Sequence, residues 1–74
     1  MRKLTIFDDG KPAGTITQAD NGCIYIFARS QIDWREINGL VHFGYKVKPN
    51  HPKFIEFVAK QAHEFNYSTE LIEG

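Results

Sequence analysis

The side chains able to do chemistry in this sequence are few and scattered. Its three histidines, His42, His51 and His63, fall in three different contexts, and its single cysteine, Cys23, stands in a strand-like run. Zinc is held by about four nitrogen, sulfur or carboxylate ligands at short spacing, and no grouping of His, Cys, Asp and Glu here has that spacing. Asp8, Asp9 and Asp20 are explained by turns, where short carboxylates bond nearby backbone. Neither a phosphate-cradling glycine loop nor a nucleophile motif is present. A chain of 74 residues also leaves little room for a water-excluding pocket of roughly 300 Å³ or more. The expectation is no enzyme, no metal, no cofactor and no small-molecule substrate.

Two sets of residues could bind rather than react. Arg29, Arg35, Lys46, Lys48 and Lys53 could meet phosphates around exposed rings, and Lys46, Lys48, His51 and Lys53 stand beside an expected helix N-terminus, where free N–H groups favour anions. Nine basic and nine acidic residues cancel, so no global field draws the chain to nucleic acid or anionic membrane. Phe7, Tyr25, Phe27 and Trp34 form the second set, since aromatic residues dominate binding hot spots. His42-Phe43-Gly44-Tyr45 resembles in outline the Gly-Phe-Gly-Phe core of an RNA-recognition strand. It departs from that pattern at His42, which replaces the glycine, and no helix is expected between the first two strands. The chain is assigned to no family.

The elements that must position these residues follow from periodicity. Lys3 to Asp8 reads as a strand, Asp8 to Lys11 as an Asp-Gly turn, and Ala13 to Gln18 as a returning strand with Pro12 at its head. Ala19 to Gly22 is a second turn, and Cys23 to Ala28 a third strand. Two tight hairpins in succession predict an antiparallel meander. Arg29 to Gly39 reads as a loop with a short helical piece that Ser30 or Asp33 could cap.

From Leu40 to Lys48, Val41, Phe43, Tyr45 and Val47 alternate with His42, Gly44, Lys46 and Lys48, which predicts a fourth, central strand. Pro49 ends it, Asn50 caps a helix with Pro52 inside its first turn, and Phe54, Ile55, Phe57, Val58, Ala62 and Phe65 form its apolar stripe. Asn66 ends the helix in the left-handed region. Thr69 to Glu73 follows as a short last strand, expected to run parallel to the one starting near Leu40.

The fold class read from the sequence is therefore α+β, one domain spanning residues 1–74, in the order β-β-β-β-α-β. One helix covers one sheet face, which leaves Thr5, Phe7, Thr15, Thr17, Tyr25, Phe27 and His42 on the other. A soluble monomer rarely leaves such a patch bare, so the face is expected either to be covered by Trp34 and residues 29–39 or to meet a partner. The leading expectation is a small protein-interaction module. Chains of this size are often carried by phages and mobile elements as modulators of host proteins, an inference from size alone. A nucleic-acid-binding domain and a structural homodimer are the alternatives. One cysteine excludes an internal disulfide and fits a reducing interior, no signal-peptide pattern is present, and no apolar run reaches the ~18 residues of a membrane span. A cytoplasmic location is expected.

Overall fold

The computed structural model describes residues 1–43 and 51–73. The elements in chain order are β1 (Arg2–Asp8), β2 (Lys11–Gln18), β3 (Ile24–Ala28), α1 (Gln31–Phe43), α2 (Phe54–Glu64) and β4 (Ser68–Glu73). The four strands make one antiparallel sheet in the order β3-β2-β1-β4. Both helices lie on the same face of it, where Leu4, Ile6 and Ile16 share a core with Ile37, Leu40, Phe54, Ile55, Val58 and Ala62. The class is α+β, as the sequence predicts.

The meander forms for the reasons its turns suggest. Asp8 pairs with Lys11, so Asp9 and Gly10 are a two-residue connection, and both have positive φ (53° and 79°). That is the handedness a tight hairpin needs to match strand twist. At the second turn Gly22, with φ of 88°, donates its N–H to Ala19 O at 2.9 Å, and the Asn21 side chain accepts from Cys23 N–H at 3.0 Å.

The segment after β3 overturns two expectations. Residues 31–43 are one continuous helix, so Arg29 to Gly39 is not a loop, and Leu40 to Phe43 is not the start of a central strand. With them goes the likeness of residues 42–45 to an RNA-recognition strand, because His42 and Phe43 are helical. Gly44 to Lys48, Pro49 and the expected cap Asn50 lie outside the described residues. The helix starts where Ser30 caps it: Asp33 N–H donates to Ser30 Oγ at 3.2 Å, while Ser30 Oγ and Arg29 Nε donate to the Asp33 carboxylate at 2.9 and 3.0 Å. The Ser30 hydroxyl thus caps the helix, and the Asp33 carboxylate holds both that hydroxyl and the Arg29 guanidinium. Asn38 and Gly39, a pair whose types usually end a helix, lie inside this one. A glycine there costs about 1 kcal/mol, whereas burying Ile37 and Leu40 returns about 1.5–3 kcal/mol each. Packing wins.

The second helix begins later than expected, with Lys53 rather than Asn50 at the N-cap position. Pro52 stands before it, in a turn where His51 O accepts from Phe54 N–H at 3.1 Å. Its far end matches the sequence reading. Asn66 has φ of 68°, Tyr67 N–H donates to Ala62 O at 2.9 Å, and Asn66 N–H donates to His63 O at 3.1 Å, the paired bonds of a Schellman ending. Phe65, expected in the apolar stripe, is instead exposed at this terminus. β4 then pairs antiparallel with β1, Leu4 opposite Leu71. It is not parallel to a strand near Leu40, because that segment is helical and β1 offers the open edge.

Arg2 closes one end of the core. Its guanidinium pairs with Glu56 of α2 and, at 2.7 Å, with Glu73 of β4, and Nη1 donates to Pro52 O at 2.9 Å. The hydrogen bond from Arg2 holds the Glu56 carboxyl below its ordinary value of 4.5. A depressed carboxyl contributes stability that is complete above the ordinary value and is lost as pH falls through the folded-state value. Glu56 is half-exposed, so solvent screening keeps the contribution modest. Denaturation of wild type and Glu56→Gln, stepped downward through that window, should converge as Glu56 protonates. A difference that stays constant with pH would remove this ion pair from the stability of the domain.

Two glycines make a sharper test of the packing. A Cβ on Gly14 would stand 2.3 Å from Ile37 Cδ1 and 2.4 Å from Phe27 O, while one on Gly39 would meet nothing within 4 Å. Gly14→Ala should destabilise by about 1–3 kcal/mol, the usual cost of overpacking. Gly39→Ala should stabilise by about 0.5–1 kcal/mol, since it removes helix-interior glycine without a clash. Chemical denaturation reads both, and equal signs would contradict the close approach of α1 to the sheet.

Candidate interaction face of the sheet

Side chains alternate across a strand, so the registers fix what the uncovered face carries. One row runs Phe27, Thr15, Thr5, Glu70, and the next runs Tyr25, Thr17, Lys3, Ile72. Phe7 stands two strands in from β3 and one row past Phe27, opposite Pro12 and Ser68. Tyr25 is 61% exposed, Phe27 71% and Ile72 50%, whereas Phe7 is partly buried. Neighbouring threonines supply methyl and hydroxyl groups, and the charges of Lys3 and Glu70 cancel. The face is nearly neutral and partly apolar.

Trp34 does not join this set and does not cover it. It projects from α1, half-exposed, in the helical layer on the other side of the sheet. The expected cations are also elsewhere. Arg29 is tied to Asp33 at the β3–α1 junction, Arg35 lines a groove on α1, and Lys53 is the N-cap residue of α2. Lys46 and Lys48 lie outside the described residues. His42 belongs to α1 rather than to a strand. Lys3, Glu70 and Ile72 are face residues that sequence reading missed, and the signal for the last two is their spacing of two along β4.

A groove of about 320 Å³ lies between α1 and the segment that ends α2, lined by Arg35, Glu36, Gly39, Leu40, Phe65 and Tyr67. The Tyr67 hydroxyl donates to Glu36 Oε2. Burial, then the Glu36 carboxylate, pushes the Tyr67 phenol up to about 12, because both oppose a phenolate. A group raised in this way contributes stability that is complete below its ordinary value of 10 and is lost as pH rises towards the folded-state value. The difference in phenolate absorbance between wild type and Tyr67→Phe should therefore titrate near 12. A midpoint near the ordinary value of 10 would mean that the phenol is not held in the groove.

Among the described residues no three His, Cys, Asp or Glu side chains are grouped to hold a metal. His63 Nε2 and Thr69 Oγ1 lie 2.9 Å apart, and His51 Nδ1 accepts from Lys53 N–H at 3.0 Å, so these two rings serve local structure. None of the described helices is long and apolar enough to cross a membrane. No protein-family model, curated protein or solved structure matches the chain.

Proposed function

We propose that this chain is a non-enzymatic protein-binding module whose contact surface is the uncovered sheet face, with Tyr25 and Phe27 as anchors and Phe7 and Ile72 farther across it. The observation that carries this reading is the adjacency of two rings, 61% and 71% exposed, on a face whose charges cancel. Rings of this kind are enriched among hot spots because they bury a large area at small entropic cost. A modulator of a host protein in the cytoplasm, such as mobile elements encode, fits a module of this size.

The nucleic-acid alternative is less well supported. Affinity for a strand comes largely from cations that neutralise phosphates, and on the uncovered face Lys3 is balanced by Glu70, while Arg35 and Lys53 belong to the helical layer. A surface built for stacking and phosphate contact would carry a net positive charge around its rings. Trp34 fits a separate contact on the helical layer and is not among the anchors.

The test compares wild type with Phe27→Asp as bait in host extract, with thermal denaturation confirming that the exposed substitution leaves the fold intact. Wild type should retain a stoichiometric protein whose retention falls roughly tenfold or more in the variant, as expected for a ring hot spot of about 2 kcal/mol. Equal retention by both would refute the assignment of the face. Oligonucleotide binding that weakens steeply with salt would replace it with the nucleic-acid reading.

A further inference from the structure

We propose that β3 is a self-pairing edge, through which two copies of the chain join antiparallel, β3 to β3, into one continuous sheet. This rests on the same two rings as the partner reading, but it names a second copy as the occupant and the strand edge as the seam.

Backbone phase is the first support. Arg29 N–H donates to Ala13 O at 2.8 Å and Ala19 N–H to Cys23 O at 2.9 Å. With Thr15 opposite Phe27 and Thr17 opposite Tyr25, the alternation of an antiparallel ladder directs the backbone groups of Tyr25 and Phe27 to β2. Those of Ile24, Ile26 and Ala28 point away from it, and among the described residues no strand lies beyond β3. Setting Ile26 opposite Ile26 of a second copy brings Ile24 opposite Ala28 and Ala28 opposite Ile24. Every outward N–H and C=O of the strand then has a partner, because these are the hydrogen-bonded positions of the new ladder.

Side-chain placement is the second. The same register puts Tyr25 opposite Phe27 of the second copy, and Phe27 opposite Tyr25. These are the non-hydrogen-bonded positions, where side chains approach most closely and aromatic pairs stabilise. Both ring pairs lie on the uncovered face.

Charge is the third. β3 reads Ile-Tyr-Ile-Phe-Ala, without the lysine, proline or bulge that usually protects an edge. The other edge strand, β4, carries Glu70 and Glu73, and two copies meeting there would bring carboxylates together. The net charge of the chain is zero, so no long-range repulsion opposes association.

The size of the seam sets its strength. It is five residues long, about 17 Å. With rings of roughly 150–250 Å² each, the exposed ring area falls well short of the ~800 Å² per partner of a standard interface. The dimer is a weak one, with monomer dominant at about 1 μM and dimer accumulating towards about 1 mM.

Sedimentation equilibrium across that range should show concentration-dependent dimerisation. Amide exchange should slow with concentration at Ile24, Ile26 and Ala28 while Tyr25 and Phe27 stay constant. The Tyr25→Lys/Phe27→Lys and Tyr25→Glu/Phe27→Glu double variants should each associate at least tenfold more weakly than wild type. Mixed in equal amounts they should form a 1:1 heterodimer, since Lys and Glu then oppose one another across the seam. Thermal denaturation confirms that each double variant is folded before they are mixed. A wild type that remains monomeric to about 1 mM, a dimer with unchanged exchange at those three amides, or a mixture that fails to pair would each overturn the proposal. A monomer that nonetheless captures a host protein through Phe27 would leave the partner reading standing, whereas a dimer that captures none would leave only the self-pairing.

Discussion

A four-stranded sheet is about 19 Å wide at the usual strand spacing, and a helix with its side chains is about 10–12 Å across. One helix cannot cover such a sheet, and the rest of this structure follows from that mismatch. α2 lies against β1 and β4, and α1 against β2 and β3. Together they bring Ile37, Leu40, Phe54, Ile55 and Val58 onto Leu4, Ile6 and Ile16. The close approach of α1 requires Gly14 at the point where Ile37 meets the sheet, and Arg2 ties β1 to α2 and β4 through Glu56 and Glu73. With both helices committed to one side, no described element is left for the other.

The parts of the fold legible in the sequence are those decided by local backbone chemistry. Asp9 and Gly10 demand a tight hairpin whatever surrounds them, Asn66 adopts the left-handed conformation that ends α2, and the alternation in β1 to β3 assigns the buried face correctly. Residues 40–43 are misread because their alternation satisfies a strand pattern as well as a helical one. Ile37, Leu40 and Val41 are also spaced at three and four, and only the tertiary contact with the sheet decides between the two periods. Asn38 and Gly39 reinforced the error, since a weak helix former in isolation says little once both flanks are packed. The direction of β4 failed with it, because a parallel strand needs a neighbour that does not exist near Leu40.

Of the candidate site, the rings were legible and their grouping was not. Tyr25 and Phe27 fall on the uncovered face by strand alternation alone. Trp34 could be placed only by knowing that its segment is a helix on the opposite side of the sheet. The cations follow the same logic. Arg29 is consumed by the capping arrangement of α1 through Asp33, a pairing visible in the Ser30–Asp33 spacing once a helix start at Ser30 is taken seriously.

An exposed ring is not in itself informative, because more than half of any folded surface is apolar. A domain this small buries only about 60–65% of its unfolded surface, so some large side chains must remain outside. What distinguishes Tyr25 and Phe27 is where they remain outside. Ile32 and Phe65 are comparably exposed, but each stands near a helix end rather than on the uncovered sheet face. Tyr25 and Phe27 alternate along one short strand with no charge among its residues, at a sheet edge whose outward backbone groups face away from β2. Apolar side chains and unsatisfied peptide groups are expensive to leave together, since an edge that offers both is a template for another strand. That coincidence, rather than the exposure of any single residue, is what the proposed pairing of β3 rests on.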